Sequence, residues 1–225
     1  MAFLAALLLG AASPKQLDSQ IVLQRYELEM SDLVAPKTMI FDYSVSQLGS
    51  TDIEQRHVIY RSGLRVRDET LTVDGIALKP KIVTFGSRQD RYALARLAPR
   101  TASYAMLFTK TVRDGSHIDY VYDASPIAPA SPAFSITRLI VDGVSFLPRE
   151  IDFRTASATA HGNGKLIYGK ADKYWVPQIA SVDALVEGKP ARERIVWSGY
   201  RFPRVLPAST FVPPRPLPLA TLPPV

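Results

Sequence analysis

The chain has 225 residues, of which 47% are hydrophobic and 21% charged, with a formal net charge of +6 and no cysteine. The missing cysteine excludes disulfides, thiolate catalysis, cysteine-bound metals and an N-terminal cysteine modified by lipid. The length predicts one domain with a sizeable core. Because basic and acidic residues alternate, as in 65–69 and 191–194, we expect solvated strand faces and no nucleic-acid partner.

A short apolar run occupies residues 3–13. It is shorter than the roughly 20 apolar residues that span a bilayer, and it has the length of a signal-peptide core followed by small residues. We therefore predict a signal segment over residues 1–13 and a periplasmic or otherwise exported protein with no transmembrane span. No Lys or Arg precedes the run, and the alternative is a buried helix.

The next segment, residues 15–33, contains no glycine and no internal proline. Leu17, Ile21 and Leu28 are spaced for one face of a helix, and Val22 is a further candidate for it. We predict one amphipathic helix here, ended by Pro36.

From Met39 onward the hydrophobic period becomes two, which is typical of strands with one buried face. Asp74-Gly75, between two alternating runs, predicts a tight hairpin, and residues 161–164 (His-Gly-Asn-Gly) predict a turn. Residues 88–100 fit either a short helix or a strand. From Pro203 onward proline dominates, and the end of the chain is typical of polyproline II or disorder.

These elements predict a mainly β (α+β) fold. We expect a curved antiparallel sheet, or unclosed β-barrel, of about ten strands. The N-terminal helix would cover its concave face. The predicted boundaries are a single β-rich domain over 14–211 and a Pro-rich tail over 212–225.

No residue pattern indicates catalysis. The three histidines, at 57, 117 and 161, have no metal-ligand spacing, and no Gly-x-Ser-x-Gly or phosphate-binding loop is present. We therefore predict no catalytic residues, no metal, no cofactor and no enzymatic activity. An enzyme would require His57 or His117 to face a cleft beside Ser and Asp.

Aromatic and aliphatic side chains recur at alternating strand positions. They either fill a plain sheet core or line a cavity for an apolar ligand, since both use the same residue types. The candidate cavity residues are Phe41, Tyr43, Val45, Tyr60, Met106, Phe108, Tyr120 and Phe134.

Four local runs have the rhythm of a known family: residues 41–49, 61–69, 141–148 with its Asp-Gly-x-x-x-Leu-Pro, and 195–200 leading to Leu206-Pro207. In this layout the chain resembles the LolA/LolB-like superfamily of periplasmic lipoprotein carriers. The resemblance implies a carrier or binding protein for lipid or lipoprotein acyl chains, working without catalysis in the cell envelope.

An alternative function uses the opposite face of the same sheet. If the concave side were solidly packed, the convex side with Arg56, Arg61, Arg65 and Arg67 could meet an envelope protein partner. The chain would then be a structural or sensor domain.

Overall fold

The computed structural model describes residues 16–49, 52–115, 117–128 and 133–213. The predicted signal segment and the tail beyond Pro213 lie outside these ranges, so those predictions remain open. Two short helices, α1 and α2, are Ser19–Ser31 and Leu94–Leu97, and a 3₁₀ helix covers Ala208–Phe211. The strands β1 to β11 are Thr38–Leu48, Ile53–Ser62, Arg65–Val73, Ile76–Ser87, Tyr104–Asp114, His117–Pro126, Phe134–Asp142, Pro148–Ala156, Ala160–Ala171, Tyr174–Val186 and Lys189–Arg201.

All strands form one antiparallel sheet. Its spatial order is β4-β3-β2-β1-β11-β10-β9-β8-β7-β6-β5, so the first four strands run to one edge and the last seven return to the other. In the described residues, the edge strands β4 and β5 do not pair. The predicted mainly β, unclosed barrel is therefore confirmed, with eleven strands.

Helix α1 packs on the concave face, as predicted, but of the predicted residues within the helix only Val22 is buried. Asp18 caps it by accepting the Gln20 N–H at 2.8 Å, and its buried face consists of Val22, Tyr26 and Met30. Ile21 and Leu28, from the predicted face, are exposed. Tyr26 is the aromatic residue whose four-residue spacing to Val22 and Met30 marks the true face.

Residues 88–103, here called the crossover segment, connect the two edge strands. They contain α2, a single turn with no side-chain cap, so the short-helix interpretation of residues 88–100 is the correct one. Leu94 and Pro99 of this segment are buried. A turn this short gains little stability from its own hydrogen bonds, so its position depends on contacts with the sheet.

The hairpin at Asp74-Gly75 is confirmed: both residues have positive φ, 49° and 77°, as the tight turn requires. The turn predicted at 161–164 is wrong, since these residues belong to β9. A Cβ on Gly164 would lie 2.2 Å from the Phe153 ring. This glycine therefore marks a close approach inside the sheet and not a chain reversal.

No helix in the described ranges is both long and apolar enough to cross a membrane.

Candidate functional site

A cavity of about 400 Å³, here called the main cavity, lies between the concave face and the crossover segment. Its wall from the sheet comes from β1, β2, β10 and β11, and its opposite wall comes from α2. Apolar and aromatic side chains dominate the lining of the main cavity. They include Leu33, Met39, Phe41, Leu94, Trp175, Val176, Trp197 and Tyr200. At its edge, Val34 and Leu64 are 70% and 55% exposed, so apolar surface continues from the wall to solvent.

A second cavity of about 180 Å³, here called the small cavity, shares part of this wall. Phe41, Arg61 and Trp197 line both cavities. The small cavity is otherwise more polar, with Asp68, Arg88 and Arg91 in its wall. Gln89 and Asp90 also line both cavities, so Arg61 borders an apolar space and a more polar one.

Both tryptophans of the chain line the main cavity. The Trp197 ring meets Tyr92 of the crossover segment edge-on, with centroids 4.8 Å apart. The Trp175 Nε1–H donates to the Pro148 carbonyl at 2.7 Å, so its orientation is fixed by the polar end while the ring packs against the apolar core. Intrinsic fluorescence therefore reports directly on this cavity.

The sheet holds the crossover segment through its main-chain carbonyls. Arg61 Nη1 donates to the Arg88 carbonyl at 3.0 Å, and the Tyr168 hydroxyl donates to the Tyr92 carbonyl at 3.1 Å. The Tyr26 hydroxyl of α1 donates to the Pro99 carbonyl. These bonds fix the backbone of the segment across the concave face.

The C-terminal end of the crossover segment is tied to α1 by Glu27. Its carboxylate accepts from Arg100 Nε at 2.7 Å and from the Thr101 N–H at 2.6 Å. Burial opposes ionisation of this carboxylate, but the hydrogen bonds from Thr101 and Arg100 outweigh it and lower the pKa of Glu27.

The phenols around the cavities stay neutral. Burial raises the pKa of Tyr43 to about 12, and burial also raises the pKa values of Tyr168 and Tyr200. The Tyr200 hydroxyl donates to the Pro177 carbonyl at 2.6 Å. These groups supply hydrogen bonds and ring surface, with no proton to exchange near neutral pH.

The candidate cavity residues from the sequence fall into three groups. Phe41 and Tyr43 line one or both cavities. Val45, Met106, Phe108 and Tyr120 also face the concave side, but they pack in the core. There the Tyr120 hydroxyl accepts the Leu17 N–H at 2.7 Å, and Phe108 meets Tyr122 edge-on.

Tyr60 and Phe134 are placed differently from the prediction. Tyr60 pairs with Ile40 and with Arg67, whose guanidinium lies 5.5 Å from its ring; the next residue in β2, Arg61, lines the cavities. Successive residues of a strand face opposite sides, so Tyr60 lies on the convex face. Phe134 sits at the end of β7, 36% exposed, with its ring against Phe153.

The convex arginine surface is also smaller than predicted, because Arg61 lies inside. Arg67 is engaged by Glu69 at 2.5 Å and by the Thr210 carbonyl at 3.4 Å. Arg65 lies over the Phe211 ring. The segment with the 3₁₀ helix thus covers part of this face at β3.

His57 and His117, the two histidines considered for catalysis, each lie beside a carboxylate. His57 Nδ1 lies 2.8 Å from Asp68 and Nε2 lies 3.2 Å from Gln55. In the described part of the chain, its hydroxyl neighbour is Thr70, at 3.4 Å, and no serine is among its hydrogen-bond partners. The pairing of His57 with Asp68 orients both side chains beside the small cavity.

One group within the described residues could offer metal ligands: His117, Asp119 and Asp142, with ligand atoms within 4.8 Å of one another. His117 Nε2 lies 3.0 and 2.9 Å from the two carboxylates. Arg149 binds the second oxygen of Asp119 at 2.7 Å. Burial disfavours ionisation of Asp142, but donors led by the Ser145 N–H outweigh it and lower the pKa of Asp142. The group therefore forms a network of hydrogen bonds, with an ion pair between Arg149 and Asp119, beside the β7–β8 connection.

No protein-family model and no curated protein matches this sequence. Several solved structures are similar in fold. A DUF1329 family protein from Desulfovibrio piger is 11% identical with a TM-score of 0.47, covering 86% of this chain and 96% of its own. A LolA superfamily protein from Nitrosomonas europaea is 11% identical with a TM-score of 0.42, covering 88% and 99%. An outer membrane lipoprotein-sorting protein domain from Vibrio parahaemolyticus is 14% identical with a TM-score of 0.47, covering 86% and 97%.

Proposed function

We propose that this chain is an exported, non-enzymatic carrier or binding protein for an apolar ligand, such as the acyl chains of a lipid or lipoprotein. The observation that carries this proposal is the main cavity. Its volume of about 400 Å³ falls within the range of ~300–1,000 Å³ typical of small-molecule sites.

Burial of an acyl chain supplies enough free energy without chemistry. Each methylene removed from water contributes about 0.8 kcal/mol. The wall made by Phe41, Trp175 and Trp197 offers a continuous apolar surface, and the exposed Val34 and Leu64 extend it toward solvent. A chain could therefore enter along apolar surface throughout.

The carrier function is favoured over the structural or sensor alternative for a specific reason. The convex arginine patch on which that alternative relied is partly occupied, since Arg67 is bound by Glu69 and Thr210. Arg61 is on the other face. An envelope protein partner remains part of the proposal only as a donor or acceptor of lipidated cargo.

Tryptophan quenching by a brominated fatty acid tests the proposal. Bromine atoms within contact of Trp175 and Trp197 should quench their emission in a saturable way. The variant Leu64→Asp places a carboxylate beside the mouth and should weaken binding several-fold. Val144→Asp, at a 75% exposed position in the β7–β8 connection, is the matched control. Unquenched tryptophans at saturating probe would rule out the main cavity as the binding site.

A further inference from the structure

Arg61 is a buried cation without an acidic partner. It is only 8% exposed. One of its nitrogens, Nη1, donates to the Arg88 carbonyl, while the buried Nε has no hydrogen-bond partner. Among the described residues no carboxylate lies within 4.0 Å of its guanidinium to form an ion pair. Buried charges in proteins are normally paired, because desolvation without a partner is costly.

The acidic residues nearby are already engaged. Asp90, in the crossover segment, accepts the Tyr92 N–H at 3.1 Å. Asp68 is bound by His57 at 2.8 Å and lies 3.7 Å from Arg88. Burial lowers the pKa of Arg61, with Asp90 opposing and Arg88 adding to the effect, yet a guanidinium keeps its charge in proteins. Arg61 therefore lines both cavities as a charged side chain whose donors are only partly satisfied by the described residues.

The position of Arg61 matches the shape of an amphiphile. Arg61 lines the apolar main cavity, which holds both tryptophans, and also the small cavity, whose wall carries Arg88 and Arg91 beside the engaged carboxylates Asp68 and Asp90. Resting on the proposed function, we infer that the ligand is an acyl amphiphile with an anionic group, a carboxylate or a phosphate. Arg61 binds this group at the junction, and the acyl chain occupies the main cavity.

A guanidinium forms paired, charge-assisted hydrogen bonds with either oxyanion. A methyl ester of the same chain length offers the same apolar surface without the charge. The first experiment therefore compares oleic acid with methyl oleate at pH 8, each competing against the brominated probe. We expect the acid to bind at least ~10-fold more tightly. Equal affinity would overturn the inference, whereas failure of both to bind would contradict the proposed function itself.

The second experiment assigns the preference to Arg61. Arg61→Met keeps an apolar side chain of similar length, and Arg56→Gln, at an exposed position of the same strand, is the matched control. We expect Arg61→Met to bind the acid no better than the ester while its affinity for the ester is unchanged. A preference for the acid that persists in Arg61→Met overturns the assignment.

Arg61 could also act only by holding the crossover segment through Arg88. In that case Arg61→Met would weaken acid and ester alike, and the inference would be wrong. If Arg61→Met fails to fold, Arg61→Gln is measured in the same way with the same expected result. If both variants fail to fold, the acid-to-ester ratio of the wild-type chain decides.

A second pair of ligands distinguishes a phosphate-bearing ligand from a fatty acid. Lysophosphatidylglycerol and a monoacylglycerol of the same chain differ in the phosphodiester. Preference for the phospholipid alone identifies a phosphate-bearing ligand, and preference for oleic acid alone identifies a fatty acid. Loss of either preference in Arg61→Met supports the inference; absence of both preferences overturns it.

Discussion

Leu94 is a buried apolar anchor of the crossover segment, beside the buried Pro99; it is 3% exposed and belongs to the core cluster. Truncation to alanine removes its packing and leaves a cavity, at a cost of about 2–5 kcal/mol for a leucine of this burial. If that cost fell on the whole protein, the melting temperature would drop by roughly 4–20 °C for a domain of this size.

The cost need not fall on the whole protein. The single turn of α2 adds little stability of its own, so the segment can open while the sheet stays folded. Opening of this kind appears as faster hydrogen exchange confined to residues 89–97. We expect Leu94→Ala to lose protection from exchange in these residues. Its melting temperature should fall by less than it would if the whole cost destabilised the entire protein.

Denaturant unfolding and hydrogen exchange by mass spectrometry measure the two effects together. Leu97→Ala, in the same turn but only half-buried, is the matched control and should change both less. If Leu94→Ala alters stability by less than about 0.5 kcal/mol, as an ordinary surface substitution does, and leaves exchange unchanged, the reasoning about the anchor is refuted.

Three further predictions test the assignment of faces and contacts. Phe41→Asp should abolish uptake of the brominated fatty acid, whereas Tyr60→Asp, on the convex face, should retain it; equal loss in both would contradict the placement. Because the pKa of Glu27 is lowered in the folded state, its stabilisation is present above the unfolded value of about 4.3 and is lost as pH falls through the folded value. Glu27→Gln should therefore have a lower free energy of unfolding than wild type at pH 7, and this difference should shrink as the pH is lowered. A difference that stays constant with pH would argue against the contact. Gly143→Ala should destabilise by about 1–3 kcal/mol in denaturant titrations, since its Cβ would lie 2.2 Å from the Ile118 carbonyl oxygen, and an unchanged midpoint would show that the connection adjusts freely.

Local patterns predicted the sheet well because they depend on neighbouring residues. The alternation in β1 and the Asp74-Gly75 hairpin require only period-two burial and a turn with positive φ. The orientation of β2 could not be predicted in this way. Both of its faces carry apolar residues, because Ile59 is buried on the concave side and Tyr60 lies under the Arg67 guanidinium on the convex side, so the two residues give the same hydrophobic signal.

The cavity itself could not be predicted, because it exists only where side chains from distant parts of the chain leave the concave face unfilled. Phe108 and Phe41 occupy equivalent alternating positions, yet one packs against Tyr122 and the other borders empty space. Arg61 was assigned to the surface because charged residues usually lie there. The sequence of β2 does carry one signal for the true position, since Arg61 is two residues from the buried Ile59 and therefore lies on the same face of the strand.

Because the sheet is not closed, access to the main cavity requires only displacement of the crossover segment, and the free-energy cost of that displacement is modest. Residues 88–99 of the crossover segment are held by three hydrogen bonds to their carbonyls, from Arg61, Tyr168 and Tyr26, and by the burial of Leu94 and Pro99, whereas Arg100 and Thr101 are held separately by Glu27. Releasing these contacts costs roughly 3–8 kcal/mol, well short of unpairing the strands. An acyl chain that buries about ten methylenes contributes about 8 kcal/mol. Ligand entry can thus offset the opening of the segment, which is what a protein that both loads and releases apolar cargo requires.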